Sequence, residues 1–146
     1  MKRDVIPQLS DTNLLCTLAA TLTRERFSTV FVIALLAEVY ARNLHLAEGY
    51  PSLFAFCVGK YRMSEDAAYK RIRAARASRR FPGILEALED GRLHLSAVVL
   101  LAPHLTAQSA PELIAAATHK SKSEIERMLA ERFPRPDVAA SVQAIS

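Results

Sequence analysis

The chain has no tryptophan, only four glycines and two cysteines in 146 residues, and no apolar run long enough to cross a bilayer. Each shortage excludes something. The four glycines stand too far apart for a loop that cradles nucleotide phosphates, and no Walker or dinucleotide-binding fingerprint occurs. Cys16 and Cys57 have neither zinc-ligand spacing nor the pattern of a disulfide framework, so both are expected to be reduced core residues of a cytoplasmic protein. The longest apolar run, residues 30–37, is bounded by Arg24, Glu25 and Arg26 on one side and Glu38 on the other. It falls far short of the roughly 20 residues a spanning helix needs, and no membrane association is expected. The basic start, Lys2-Arg3, has no apolar segment behind it and does not read as a secretory signal.

Alanine and leucine lead a composition that is 51% hydrophobic and 23% charged. That balance favours helix and argues against disorder. No stretch alternates with period two for long enough to form a strand, and no internal repeat appears. The expected fold is all-α: a compact multi-helix domain over residues 1–136, followed by a linker or tail at 137–146.

Ser10 is placed to cap a first helix with Leu14, Leu15, Leu18 and Leu22 on one face. The pattern breaks at 23–26, and a second helix is expected over 27–46. Its middle, apolar on every side, should be largely buried. The stripe Phe27, Phe31, Leu35 and Val39 is read as core, with a helix-in-groove contact as the alternative. Ser52 starts a short apolar helix, and Ser64 caps the next one. Pro82 and Gly91 frame a further short helix, a brief apolar segment ends at Pro103, and Ser109-x-x-Glu112 and Ser121-x-x-Glu124 read as capping boxes.

Charge is placed unevenly. Residues 60–80 carry Lys60, Arg62, Lys70, Arg71, Arg73, Arg76, Arg79 and Arg80 against Glu65 and Asp66, while the whole chain has a net charge of only +4. A near-neutral body with one basic block points to a polyanionic partner. On a helical wheel Tyr69, Arg73, Arg76 and Arg80 form one stripe, and Ala68, Ile72 and Ala75 form an apolar one. The plain alternative is a solvated helix whose end charges suit its dipole. Five arginines against one lysine over 64–80 favour phosphate recognition, because a merely soluble surface gains little from guanidinium forks. A short apolar helix, the turn Tyr61-Arg62-Met63, a serine cap and an arginine-rich helix are the parts of a helix-turn-helix, though Arg62 stands where a glycine is common.

The segments "AAYKRIRAAR", "RFPGIL" and "GRLHLS" carry a wider resemblance over roughly residues 8–142. The chain resembles the helical N-terminal region that bacterial HNH-endonuclease-type proteins carry ahead of their nuclease domain. Residues 64–96 are also similar, more loosely, to the helix-turn-helix core of chromosome-partition proteins. The resemblance implies a DNA-targeting role in which the nuclease lies elsewhere. His45, His94, His104 and His119 include no adjacent pair and have no strand context, so no metal site, catalytic residue or cofactor is assigned. No small-molecule substrate is evident either. The expectation is a non-catalytic module for double-stranded DNA, with Lys60, Arg62, Tyr69, Lys70, Arg73, Arg76, Arg79 and Arg80 as contacts. The alternative is a protein-interaction or homodimer-forming module that uses the apolar second helix or the basic face. Lys120 and Lys122, in the loop that starts a helix, are read first as solvated residues near a cap, with added contacts to the DNA backbone as the alternative.

Overall fold

The computed structural model describes residues 2–134, so the expected tail at 137–146 lies outside the described residues. Among these residues the chain forms α-helices and two short 3-10 helices and no strand, which makes the fold all-α. After a 3-10 turn at Arg3–Gln8, α1 runs as one 31-residue helix, Asp11–Ala41. The expected break at 23–26 does not occur. No glycine or proline interrupts α1, and the Thr23 hydroxyl is satisfied within the helix by the Ala19 carbonyl at 3.0 Å. The change of pattern marks instead where α1 passes from open solvent onto the body. There the Arg26 Nε donates to the Glu89 carbonyl at 2.9 Å. The helix ends at Ala41 rather than near 46, because Asn43 takes a left-handed conformation (φ 53°) before the single turn α2, Leu44–Ala47.

Only one face of the C-terminal half of α1 is covered. Val30, Ile33 and Leu36 are buried, whereas Phe27, Phe31 and Leu35 are 49%, 66% and 52% exposed and Val39 is half-buried. The expectation that 30–37 is buried therefore holds for one stripe and fails for the other. The body packs against α1 from one side, so apolar residues all round the helix find only one apolar neighbour. Cys16 is likewise exposed on the free N-terminal half of α1, correcting its placement in a core. Cys57 is fully buried, and burial pushes its thiol pKa up.

The body is built around α4, Glu65–Arg80, which packs on α1, on α3 (Leu53–Gly59), on α5 (Gly83–Glu89) and on α6 (Leu95–Leu101). A second 3-10 turn, Ala102–His104, leads to α7, Ala110–Ala117, and α8, Lys122–Arg132. Ile33, Cys57, Ile84, Leu101, Leu113 and Ile125 are the larger side chains at the centre. Each buried leucine- or isoleucine-sized group is worth about 1.5–3 kcal/mol.

Ser10, Ser52 and Ser64 cap α1, α3 and α4 by accepting from Asn13, Ala55 and Ala67 at 3.0–3.1 Å. Ser121 and Glu124 form a full capping box on α8. Ser109 and Glu112 do not form one. The Ser109 hydroxyl accepts instead from the Thr106 N–H at 2.9 Å, and the Glu112 carboxylate turns to Arg132 at 2.7 Å. In "GRLHLS" Gly91 supplies the left-handed turn after α5 (φ 83°), Leu93 is buried, and the His94 Nδ1 caps α6 by accepting from Ala97 at 3.1 Å.

Candidate nucleic-acid interface

The sequence between α3 and α4 makes a tight turn without a glycine. Arg62 itself takes the left-handed conformation (φ 59°), and the Met63 N–H returns to the Cys57 carbonyl at 3.2 Å. Gly59 serves a different purpose. A side chain there would meet the Tyr50 ring at 2.9 Å, inside the aromatic cluster of Tyr50, Phe56 and Tyr61.

Two arcs of α4 are buried: Ala68, Ile72 and Ala75 on one, and Ala74, Ala77 and Ser78 on the other. At 100° per residue these cover most of the circumference. What remains open is a shallow stripe, roughly 60° wide by the same geometry, that carries Tyr69, Arg73, Arg76 and Arg80. The structure thus brings together the four residues that the wheel grouped. Tyr69, Arg76 and Arg80 are exposed and Arg73 is half-buried.

Aromatic rings hold these guanidinium groups in place. The Arg73 Cζ lies 5.5 Å from the Tyr69 ring centroid, Arg76 5.1 Å from Tyr40, and Arg80 5.1 Å from Phe81. Such stacking is worth about 0.5–1 kcal/mol at an exposed site and leaves the charge unneutralised. Among the described residues none of Arg62, Arg73, Arg76, Arg79 and Arg80 forms an ion pair with a carboxylate. Arg79 lies off the stripe, its guanidinium donating to the Ala37 carbonyl of α1 at 3.4 Å.

The other expected contacts are differently placed. Lys60 pairs with Glu48, and the hydrogen bond its ammonium donates to that carboxylate raises the lysine pKa. Lys70 pairs with Asp66 one turn back, at 3.2 Å. Both lysines are partly neutralised within the chain.

Beside the stripe runs a cleft of about 720 Å³, with Tyr69 and Arg73 on one wall and Pro103, His104, Glu126 and Phe133 on the other. A smaller hollow of about 180 Å³ continues it between Arg73, Arg76, Arg80 and Pro103. His104 stacks on Phe133 at 4.3 Å. Tyr40, Phe81, Pro103, His104 and Phe133 were not expected as part of this surface. They come from four other parts of the chain, and no local pattern marks them. Among the described residues no three histidine, cysteine, aspartate or glutamate side chains converge to hold a metal ion, and no helix is long and apolar enough to cross a membrane. No family model, curated protein or solved structure matches the chain.

Proposed function

We propose that this chain is a non-catalytic DNA-binding module that holds the phosphate backbone of a duplex against the α4 stripe. It would be the targeting part of an HNH-endonuclease-like protein. The observation that carries the reading is the row Arg73, Arg76 and Arg80, preset by aromatic rings and free of carboxylate partners beside an elongated cleft. A phosphate backbone is a ridge, and it suits a grooved basic surface. Deep insertion into the major groove suits a helix that stands clear of its domain, whereas α4 is enclosed by four neighbours. The reading therefore favours backbone positioning with little base readout.

The test is fluorescence anisotropy on a labelled duplex at several salt concentrations. Four or five phosphate contacts give log K against log salt a slope of about −4, at about −0.9 per contact. Arg73→Ala with Arg76→Ala should flatten it by up to about two units. Lys70→Ala should flatten it less than Arg73→Ala does, because Asp66 already faces that lysine. No binding by the parent at low salt, or a double variant indistinguishable from it, would sink the proposal.

A further inference from the structure

The N-terminal half of α1 projects past the body. From Thr12 to Thr23 the chain has no charged residue, and all but Thr17 and Thr23 of these twelve positions are exposed. Two of its four threonine hydroxyls are turned inward: Thr21 donates to the Thr17 carbonyl at 2.7 Å and Thr23 to that of Ala19 at 3.0 Å. Past the polar Thr12 and Asn13, the leucines dominate what is left outside. Leu14, Leu15, Leu18 and Leu22 are 42%, 65%, 53% and 49% exposed. On the ideal wheel they continue the same face that buries Val30, Ile33 and Leu36 further along. The core face of the helix thus runs on for three turns after the core has ended. A solvated helix would carry charge there, and an apolar stripe of this length in contact with water calls for a cover.

We infer that the cover is the same stretch of a second copy, packed antiparallel across a two-fold axis. Leu15, Leu18 and Leu22 are spaced by three and four residues, the seam along which identical helices interlock. Charge selects the register. With Leu15 opposite Leu22 of the second copy, Asp11 falls opposite Arg26, whose guanidinium forms no ion pair among the described residues. A slip of one residue would set Asp11 against Glu25 instead. The same register carries the exposed Val5 and Ile6 of the second copy toward a cleft of about 340 Å³ at the base of the projection, lined by Leu22, Thr29, Val30, Leu93 and Leu95.

Area sets the strength. Half the surface of a cylinder about 10 Å across and 22 Å long is roughly 350 Å². That is under half of the roughly 800 Å² per partner in a standard interface, so seating Val5 and Ile6 is a necessary part of the pairing and the dimer is of micromolar affinity. The Phe27, Phe31 and Leu35 stripe lies on the opposite side of the helix and takes no part.

Sedimentation of the purified chain over about 0.1 to 100 µM reads this pairing, a range that brackets a micromolar constant. The parent should pass from monomer to dimer across it. Leu18→Glu places a charge in the seam and should weaken association at least about a hundredfold with helicity unchanged, since Leu18 is an exposed residue of the projecting half of α1. Phe31→Glu should leave the dimer intact. In a Cys16→Ser background, chains with Leu15→Cys and chains with Leu22→Cys should cross-link to one another on oxidation and not each to itself. A parent that stays monomeric throughout, or association abolished by Phe31→Glu but not by Leu18→Glu, overturns the inference. Cross-links only between like chains overturn the antiparallel arrangement.

Discussion

The guanidinium of Arg76 on α4 lies 5.1 Å from the ring centroid of Tyr40 on α1, joining the basic stripe to the helix that supports it. Tyr40 comes from the exposed end of α1 and gives Arg76 a fixed direction, while leaving its charge free for an anion. The ring acts on order and not on charge, and this separates two quantities that salt titration measures.

Tyr40→Ala should therefore lower DNA affinity while preserving the salt slope. Ordering a free arginine on binding costs about 0.5–1.5 kcal/mol, or roughly twofold to tenfold in affinity. The number of neutralised phosphates does not change. Tyr40→Phe should behave like the parent, because the ring face remains. Anisotropy titrations at three or more salt concentrations check both variants. A changed slope in Tyr40→Ala would mean that Arg76 had lost its phosphate altogether.

Ile33 and Leu15 are on the same face of the same helix and should answer mutation very differently. Ile33 is fully buried, and Ile33→Ala should cost about 2–5 kcal/mol from lost burial and the cavity left behind. Leu15 is 65% exposed. Leu15→Ala should stay within about 0.5 kcal/mol of the parent at concentrations too low for self-association. Urea unfolding of the two variants at a concentration well below micromolar checks this contrast.

What the sequence made legible was local. Ser10, Ser52, Ser64 and Ser121 were readable as caps because the bond each makes closes over three residues. The stripe of Tyr69, Arg73, Arg76 and Arg80 was readable because the helical period alone places it. Exposure of Phe31 was not readable, since an apolar residue does not state which of its faces will find a neighbour. Tyr40 and Phe133 joined the site through tertiary packing, which leaves no mark in the spacing around them. Ser109 failed as a cap for a similar reason: Arg132, twenty positions away, took the carboxylate the box required.

The working capping box on α8 should impose a pH dependence of known sign. The Ser121 N–H donates to the Glu124 carboxylate at 2.8 Å, and this backbone hydrogen bond, with the Ser121 hydroxyl contact, holds the Glu124 pKa below its ordinary value. A depressed folded value means that the unfolded chain binds the proton more readily. The stabilisation is present above the ordinary glutamate range and is lost as pH falls through it toward the folded value. Glu124→Gln removes the titrating group. Its melting temperature should lie below the parent's at neutral pH, and the gap should close as the solution becomes more acidic than the ordinary glutamate range.

Arg62 trades stability for charge at the mouth of α4. Its left-handed conformation (φ 59°) brings its Cβ close to the following carbonyl, at a cost of roughly 1–2 kcal/mol that glycine escapes. The turn is still required, because the Met63 N–H must return to the Cys57 carbonyl before Ser64 can cap the helix. Arg62→Gly keeps the turn and removes the strain, though the more flexible unfolded chain takes back part of the gain, about 0.4–1 kcal/mol. The variant should therefore be as stable as the parent or up to about 1.5 kcal/mol more so. Its DNA affinity should fall, and its salt slope should flatten by about 0.9, one phosphate contact. Thermal unfolding and anisotropy on the same preparation check the two halves together. A variant that lost stability would show that the arginine side chain supports the turn, and an unchanged slope would remove Arg62 from the interface.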